Sequence, residues 1–304
     1  MNQEARKPDL FLVGAPKCGT TALYAYLAQH PEIFMSPRKE PQFFAADIFG
    51  EQRNITILDR YLNCFARANG QKRIGEGSTA YLGSKAAARE IKKFSPRAQV
   101  LIMLRNPVDV MHAQHSQRVF DHMEHIRDFE RAVDSDEERT WHYGPFLGQK
   151  IIRPTYRETA RFSDDVKRYF DVFGRENVHV IIYDDFRLNT AATYAEVLRF
   201  LRVSLASQME YPIVNANRHL RSTKVQQLVL QPPKSFRAMS HVLLSQRMRS
   251  LIGRAVIRLN SAHEPRAPMN PQLRARLQME CKPDVDALSE LLNRDLSHWC
   301  ENRV

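Results

Sequence analysis

An apolar run that breaks at a glycine-containing turn and then resumes constrains this chain more than any other stretch. Residues 10–13 are apolar, the turn after them contains Gly14 and Gly19, and the apolar pattern resumes over residues 22–27. The pattern predicts a strand, a loop and a helix. In such a loop the backbone N–H groups converge, and the helix adds the positive end of its dipole. Residues 14–21, called here the Lys17 loop, are therefore predicted to bind a phosphate or another tetrahedral anion.

The Lys17 loop differs from a nucleotide-binding P-loop in the position of its lysine. A P-loop has glycine, four residues and then Gly-Lys-Ser/Thr, whereas Lys17 precedes Gly19. This displaced lysine resembles the 5′-phosphosulfate loop of sulfotransferases that use 3′-phosphoadenylyl sulfate (PAPS). A tight turn without a ligand is the alternative. The resemblance implies that the cofactor is bound by Pro16, Lys17, Cys18, Gly19, Thr20 and Thr21.

The composition is that of an ordinary globular protein. The chain has 304 residues, 43% hydrophobic and 26% charged, which is enough to bury one large core. Its cysteines lack paired metal-ligand spacing and are too few for a disulfide framework, so free thiols are expected. The sequence pattern shows neither an apolar membrane span nor an apolar signal segment, so a cytoplasmic location is expected. The formal charge of +11 suits nucleic acid, a polyanionic donor or an acidic acceptor equally well.

A proline-rich stretch over residues 30–44 carries clustered charge and aromatic rings. Its Lys39-Glu40-Pro41 sequence is followed by two phenylalanines, a composition typical of a functional loop. Residues 36–44 are called here the Lys39 loop. Within it, Lys39-Glu40-Pro41 followed by Phe43-Phe44 resembles the sulfotransferase segment that brings a second lysine to the transferring group. The resemblance implies a catalytic role for Lys39. The alternative is a solvated Lys–Glu pair beside a hydrophobic anchor.

Residues 73–82 predict a short strand that runs into small residues, with Glu76 at the carboxyl end of the strand. Ligands of open α/β sheets bind outside the carboxyl ends of the strands, so this carboxylate is predicted to face the site opened by the Lys17 loop. The stretch resembles the Glu-x-Ser-x-x-Tyr segment of heparan-type and bacterial sulfotransferases, which implies that Glu76 is the general base. Many members have lysine after that glutamate, whereas this chain has Gly77. A capping role for Glu76 is the alternative.

An apolar run over residues 100–104 predicts a core parallel strand that is followed by Arg105. A Mg²⁺-dependent P-loop NTPase would usually have aspartate there, whereas arginine suits a phosphate held bidentately. Residues 104–109 resemble the 3′-phosphate motif of sulfotransferases, which implies that Arg105 binds that phosphate. The family usually has a serine eight residues after this arginine, where this chain has Ala113. The candidates for the missing donor are Ser116, His112, Gln114 and His115.

The second half of the chain predicts alternating helix and strand. A helix is predicted from Thr155 to Phe170 and a strand over residues 178–186, an alternation that favours an α/β fold. The resemblance implies a P-loop-type three-layer fold in which helices flank a central parallel sheet. It also implies that Tyr156 lies near the adenine of the cofactor, although core packing explains this tyrosine equally well.

The last third of the chain is strongly basic. Residues 211–263 contain no Asp or Glu, and apolar residues recur at helical spacing over residues 235–259. The resemblance implies that Arg218 or Arg221 contacts the 3′-phosphate of the cofactor. The remaining basic helices either contact an anionic membrane surface or pack their apolar face on the sheet.

These motifs occur in the order of the sulfotransferase family, so the sequence is identified as a member of it. One domain is expected over residues 1–304, with an α/β nucleotide-binding core over 5–205 and a basic helical C-terminal segment over 206–304 packed on it. The resemblance implies transfer of a sulfuryl group from PAPS to an acceptor hydroxyl without a metal, leaving 3′-phosphoadenosine 5′-phosphate (PAP). The acceptor is expected to be a carbohydrate, a lipid-linked glycan or a small natural product.

Two other classes of function are compatible with parts of the sequence. A P-loop nucleotide kinase or NTPase would use Mg²⁺ and ATP, and the positions of Lys17 and Arg105 disfavour it. A basic nucleic-acid-binding protein would account for the charge. The sequence has no recognised nucleic-acid motif, so no nucleic-acid partner is expected.

Overall fold

Strands and helices alternate along most of the chain that the structure describes. The computed structural model describes residues 7–121, 123–135, 142–143, 150–151, 154–205, 210–212, 218–220, 248, 252, 255–256, 259–263, 266 and 268–301. The strands are β1 (Leu10–Gly14), β2 (Ile33–Met35), β3 (Arg73–Gly77), β4 (Gln99–Leu104), β5 (His142–Tyr143), β6 (Lys150–Ile151), β7 (Val178–Ile182), β8 (Arg218–Leu220) and β9 (Ser261–His263). The helices are α1 (Thr20–Leu27), α2 (Ala46–Phe49), α3 (Leu58–Asn63), α4 (Ala87–Phe94), α5 (Pro107–Phe120), α6 (Phe129–Asp134), α7 (Tyr156–Thr159), α8 (Ser163–Phe173), α9 (Tyr183–Leu188), α10 (Thr190–Leu201) and α11 (Pro271–Leu292).

The central layer is a five-stranded parallel sheet in the order β2-β3-β1-β4-β7. Every residue of β1 and β4 is buried, as expected for central strands covered by helices on both faces. Phe11 of β1 lies opposite Glu76 on one side and Val100 on the other. The predicted α/β fold, with a parallel sheet flanked by helices and a helical C-terminal segment, is confirmed.

The order of the strands reverses at β1. From β1 the chain first builds β3 and β2 on one side of the sheet and then β4 and β7 on the other. The connections that follow β1 and β4 therefore leave the sheet in opposite directions. Such a reversal opens a crevice at the carboxyl ends of the two neighbouring strands. The Lys17 loop follows β1 and Arg105 follows β4, so both lie at this crevice.

Asparagine caps begin the two long helices, α5 and α11. Asn106 accepts a bond from the backbone N–H of Val108 (3.0 Å), and Asn270 plays the same part at α11. A proline follows each cap, where its missing N–H costs nothing. Asn106 also donates to the carbonyl of Trp299 (2.9 Å), and α11 packs against α5 and α8. The C-terminal helix is therefore fixed to the end of β4.

Two predicted elements are wrong in their bounds. The strand expected over residues 178–186 ends at Ile182, and α9 begins at Tyr183. The helix expected from Thr155 to Phe170 is divided into α7 and α8. Asp284 of α11 accepts bonds from the N–H groups of residues 162 and 163 (2.8 and 3.2 Å). A contact with the distant C-terminal helix thus fixes the start of α8.

Much of the basic segment, including Arg221 and most of residues 235–259, lies outside the described residues. Met248 and Ile252, on its predicted apolar face, are 48% and 45% exposed. Within the described ranges, no helix combines the length and apolarity needed to cross a membrane.

Candidate functional site

The crevice at the ends of β1 and β4 opens into a cleft of about 1760 Å³. Most of the residues predicted for the site line it, although they come from distant parts of the sequence. Those residues are Pro16, Lys17, Gly19, Thr20, Thr21, Lys39 and Arg105.

Glycine is required at two positions of the Lys17 loop. A Cβ on Gly14 (φ +152°) would lie 2.7 Å from the Cβ of Leu82. On Gly19 (φ +93°) it would lie 2.9 Å from the ring of Tyr183. These glycines let the backbone pass close to its neighbours. Helix α1 begins at Thr20 directly after Gly19, so its first-turn N–H groups and positive dipole end lie at the cleft.

Cys18 contributes to this loop differently from its neighbours. Its side chain is fully buried, and its Sγ lies 3.5 Å from the carbonyl of Pro16. Burial raises the pKa of the thiol to about 12. If Cys18 contributes to anion binding as predicted, it does so through its backbone N–H, because its thiol is buried and neutral.

Two lysines from separate loops line the cleft. The Nζ of Lys17 donates to Oε1 of Gln117 on α5 (3.1 Å), and the Nζ of Lys39 donates to Oγ1 of Thr21 (2.9 Å). Burial lowers the pKa of both lysines, and the charge of Arg266 lowers that of Lys17 further. Partly desolvated cations placed near one another favour a bound anion.

Arg105 is held by contacts on two sides. Its Nη2 lies 3.2 Å from Oδ2 of Asp109, and its guanidinium lies 4.8 Å from the centre of the Tyr183 ring. Arg274 of α11 donates to the other oxygen of Asp109 (2.6 Å). Burial acts to raise the pKa of Asp109, but the two arginines outweigh it and lower that pKa. Asp109 therefore stays ionised and orients Arg105.

Arg266 lines the cleft and was not predicted from the sequence. Its buried Nε has no hydrogen-bond partner among the described residues. Burial lowers its pKa, and the charge of Arg105 lowers it further. An arginine held close to other cations with an unused donor suits an anionic ligand. Its sequence position, in the loop before α11, carries no spacing signal relative to the earlier motifs.

Ser116 does not replace the family serine in this structure, so that prediction is corrected. Its hydroxyl donates to the carbonyl of His112 within α5 (3.0 Å), and Ala113 is buried. The residues of this helix that line the cleft include Gln114 and Gln117. Burial lowers the pKa of His112 to about 4, so its imidazole is neutral at pH 7.

Tyr156 is a core residue, which corrects its predicted place beside the adenine. Its side chain is fully buried, and its hydroxyl donates to Oε2 of Glu124 (2.9 Å). The guanidinium of Arg118 lies 4.3 Å from its ring centre. Tyr156 packs with Phe129 in a second apolar cluster, so the core-packing alternative holds.

Glu76 does not face the cleft, contrary to the prediction. Its side chain is 0% exposed. Oε1 accepts bonds from the hydroxyls of Tyr61 and Tyr81, and Oε2 accepts one from Ser78, each at 2.9 Å. Burial raises the pKa of Glu76 to about 7, although the three hydroxyls act to lower it. An enclosed carboxylate with its oxygens occupied has no path to an acceptor hydroxyl.

Glu40 is the carboxylate that lines the cleft at this point, and the sequence analysis did not assign it. Its side chain is 28% exposed, and Oε1 lies 3.8 Å from the Nζ of Lys39. The backbone N–H and hydroxyl of Thr79 donate to its two oxygens (2.9 and 3.0 Å). Burial raises the pKa of Glu40, and the charge of Lys39 opposes that rise. The Lys39-Glu40 pair was the available sequence signal.

Arg218 begins β8 and pairs with His263 of β9. His263 is three residues before Arg266 in the sequence, and β8 packs against α5. Its predicted contact with a 3′-phosphate stays a prediction.

A parallel sheet with a glycine-containing loop after β1 and a cluster of cations at the switch point place the protein in the P-loop-like α/β class. The sequence matches the sulfotransferase domain family over residues 7–291, and the chain belongs to this family.

Relatives and one solved structure agree with this assignment. Human carbohydrate sulfotransferase 15 is 22% identical over 254 residues, covering 67% of this chain and 45% of that protein. Bifunctional heparan sulfate N-deacetylase/N-sulfotransferase 1 of Caenorhabditis briggsae is 23% identical over 197 residues, covering 64% of this chain and 22% of that protein. The chain thus spans less than half the length of these relatives. A sulfotransferase from Alicyclobacillus acidocaldarius aligns with a TM-score of 0.71 and 29% identity over 97% of this chain and 100% of that one.

Proposed function

We propose that this protein is a PAPS-dependent sulfotransferase that transfers a sulfuryl group to an acceptor hydroxyl. The observation that carries the proposal is that four of the cations lining the cleft lie close together beside a glycine-containing loop: Lys17, Lys39, Arg105 and Arg266. Partly buried cations at one site suit a ligand that carries several negative charges. The family relationship supports PAPS as that ligand.

The residues present fit a nucleotide with anionic groups at two positions. The Lys17 loop and the start of α1 would hold the 5′-phosphosulfate, while Arg105 and Arg266 would hold the 3′-phosphate. One observation supports this fit: the buried Nε of Arg266 lacks a partner among the described residues. Bound PAPS supplies the sulfuryl group and a leaving phosphate.

Glu40 is the proposed general base, in place of Glu76. Its carboxylate lines the cleft beside Lys39, where it can take the proton of an acceptor hydroxyl while that oxygen bonds to sulfur. Lys17 and Lys39 stabilise the negative charge that develops on the leaving oxygen. The pKa of Glu40, raised by burial, makes it a stronger base than a free carboxylate.

The acceptor is proposed to be a hydroxyl-bearing molecule, and a carbohydrate is supported by the names of the relatives. Radiolabelled PAPS incubated with fractionated host extract would identify it, because the sulfated product carries the label.

Thermal unfolding with PAP tests the donor site. PAP at a hundred times its Kd should stabilise the protein by about 2.7 kcal/mol, and Mg²⁺-ATP at the same concentration should stabilise it less. Absence of any stabilisation by saturating PAP would refute the proposed function.

A further inference from the structure

Two of the hydroxyls that bond to Glu76 also bond to the Lys39 loop. The N–H of Gln42 donates to Oγ of Ser78 (3.0 Å), and the N–H of Phe44 donates to the hydroxyl of Tyr81 (3.3 Å). A hydroxyl has a single proton. When Ser78 and Tyr81 donate theirs to Glu76, their lone pairs are left to accept from the loop.

The loop held in this way has an unfavourable backbone conformation. Glu40 and Gln42 are non-glycine residues with φ of +58° and +59°, in the left-handed region. Such residues persist only where their surroundings hold them, and they cluster at functional sites. The N–H of Glu40 donates to the carbonyl of Gly77 (2.8 Å). The bonds to Ser78 and Tyr81 extend this support along the loop.

We propose that Glu76 is a positioning residue that holds the Lys39 loop in its active conformation by orienting the hydroxyls of Ser78 and Tyr81. The inference rests on the proposed function, because the loop carries the proposed base, Glu40, and Lys39. At pH 8, above the pKa of about 7 that burial gives Glu76, the carboxylate is ionised and only accepts hydrogen bonds. Every neighbouring hydroxyl then turns its proton inward to Glu76 and its lone pairs outward. A glutamine at this position would present an N–H to one of them. That hydroxyl would then turn its own proton toward the N–H of the loop, and the anchoring bond would be lost.

The chain offers a matched pair of variants, Tyr81→Phe and Tyr61→Phe. Both tyrosines are fully buried, and both hydroxyls donate to the same oxygen of Glu76 at 2.9 Å. The hydroxyl of Tyr81 also accepts the N–H of Phe44, whereas Tyr61 contacts the loop by stacking its ring on Phe43 (4.5 Å between ring centres). Phenylalanine keeps the ring, so each variant loses one hydrogen bond to Glu76. Only Tyr81→Phe also loses the bond from the N–H of Phe44 that anchors the loop.

The test compares both variants with the wild type in three measurements at pH 8, where Glu76 is ionised. Melting temperature should fall by about 2–4 °C in each variant, and affinity for PAP should stay unchanged. Hydrogen exchange of the 39–44 segment should accelerate in Tyr81→Phe and not in Tyr61→Phe. The rate of PAP release from PAPS, with water as the acceptor, should fall about three- to tenfold in Tyr81→Phe. Glu76→Gln should resemble Tyr81→Phe.

The outcomes separate this inference from the function on which it rests. Equal exchange of the loop in Tyr81→Phe and Tyr61→Phe overturns the anchor, whatever the rates of PAP release. Equal PAP release in spite of different exchange overturns the positioning role. A wild-type protein that neither binds PAP nor cleaves PAPS refutes the proposed function, and the exchange comparison still decides whether Glu76 anchors the loop.

Discussion

Replacement of Arg266 by methionine should weaken PAP binding without destabilising the free protein. Methionine keeps an apolar stem and removes a charge that lies close to Lys17 and Arg105. In the free protein the change relieves repulsion among the three cations, so the melting temperature should stay constant or rise. In the complex it removes a charge-assisted hydrogen bond worth about 1.5–3 kcal/mol. The Kd for PAP should therefore rise about ten- to hundredfold.

Arg274→Met is the matched control, at an arginine that is bonded to Asp109 and is not among the residues lining the cleft. Arg274 is tied to Asp109 at 2.6 Å, so its loss should lower the stability of the free protein by about 1 kcal/mol. PAP affinity should change less, because Asp109 still holds Arg105. Calorimetric titration with PAP and thermal unfolding without it give both quantities. The reasoning fails if Arg266→Met binds PAP as tightly as the wild type, or if it loses as much stability as Arg274→Met.

Three further predictions follow from the site and its surroundings. Glu40→Gln should lower PAPS turnover by about a hundredfold or more with PAP affinity retained in calorimetry; unchanged turnover would remove Glu40 from the mechanism. Gly19→Ala should destabilise the protein and abolish the thermal shift with PAP, because its Cβ would lie 2.9 Å from the Tyr183 ring; normal PAP binding would contradict the loop assignment. Because burial raises the pKa of Glu76 to about 7, the folded protein holds a proton that the unfolded chain releases. The stability from this proton is fully present below about pH 4.5 and is lost as pH rises through 7. The free energy of unfolding, measured from pH 4 to 8, should show this fall in the wild type and not in Glu76→Gln. Parallel pH dependence of the two proteins would contradict the prediction.

The binding half of the site was predictable from short stretches of sequence. The apolar run, the glycine turn and the helix start predicted the strand, loop and helix of the Lys17 loop, because each is a local pattern. Its binding of an anion stays a prediction. Arg105 was located for a similar reason, since a buried parallel strand delivers the residue after it to the edge of the sheet where ligands bind.

The local sequence could not show which of Glu76 and Glu40 reaches the cleft. Glu40 precedes a proline and Glu76 lies between two glycines, and neither pattern indicates whether the carboxylate is buried. Their burial depends on what packs over them, and for Glu76 this is Tyr61, brought from α3. The predicted place of Tyr156 was wrong for the same reason. Its burial depends on Glu124 and Phe129, which come from other parts of the chain.

The parallel sheet, the glycine-containing loop after β1 and the arginine after β4 could be predicted from local sequence, because strand and helix periodicity and glycine-dependent turns are local properties. Tertiary structure decided which charged groups share the cleft. Arg266 joins Arg105 across more than half of the chain, and Glu40 replaces Glu76 at the cleft surface. Electrostatic interaction and desolvation depend on distances and burial in space, and these exist only after the chain has folded.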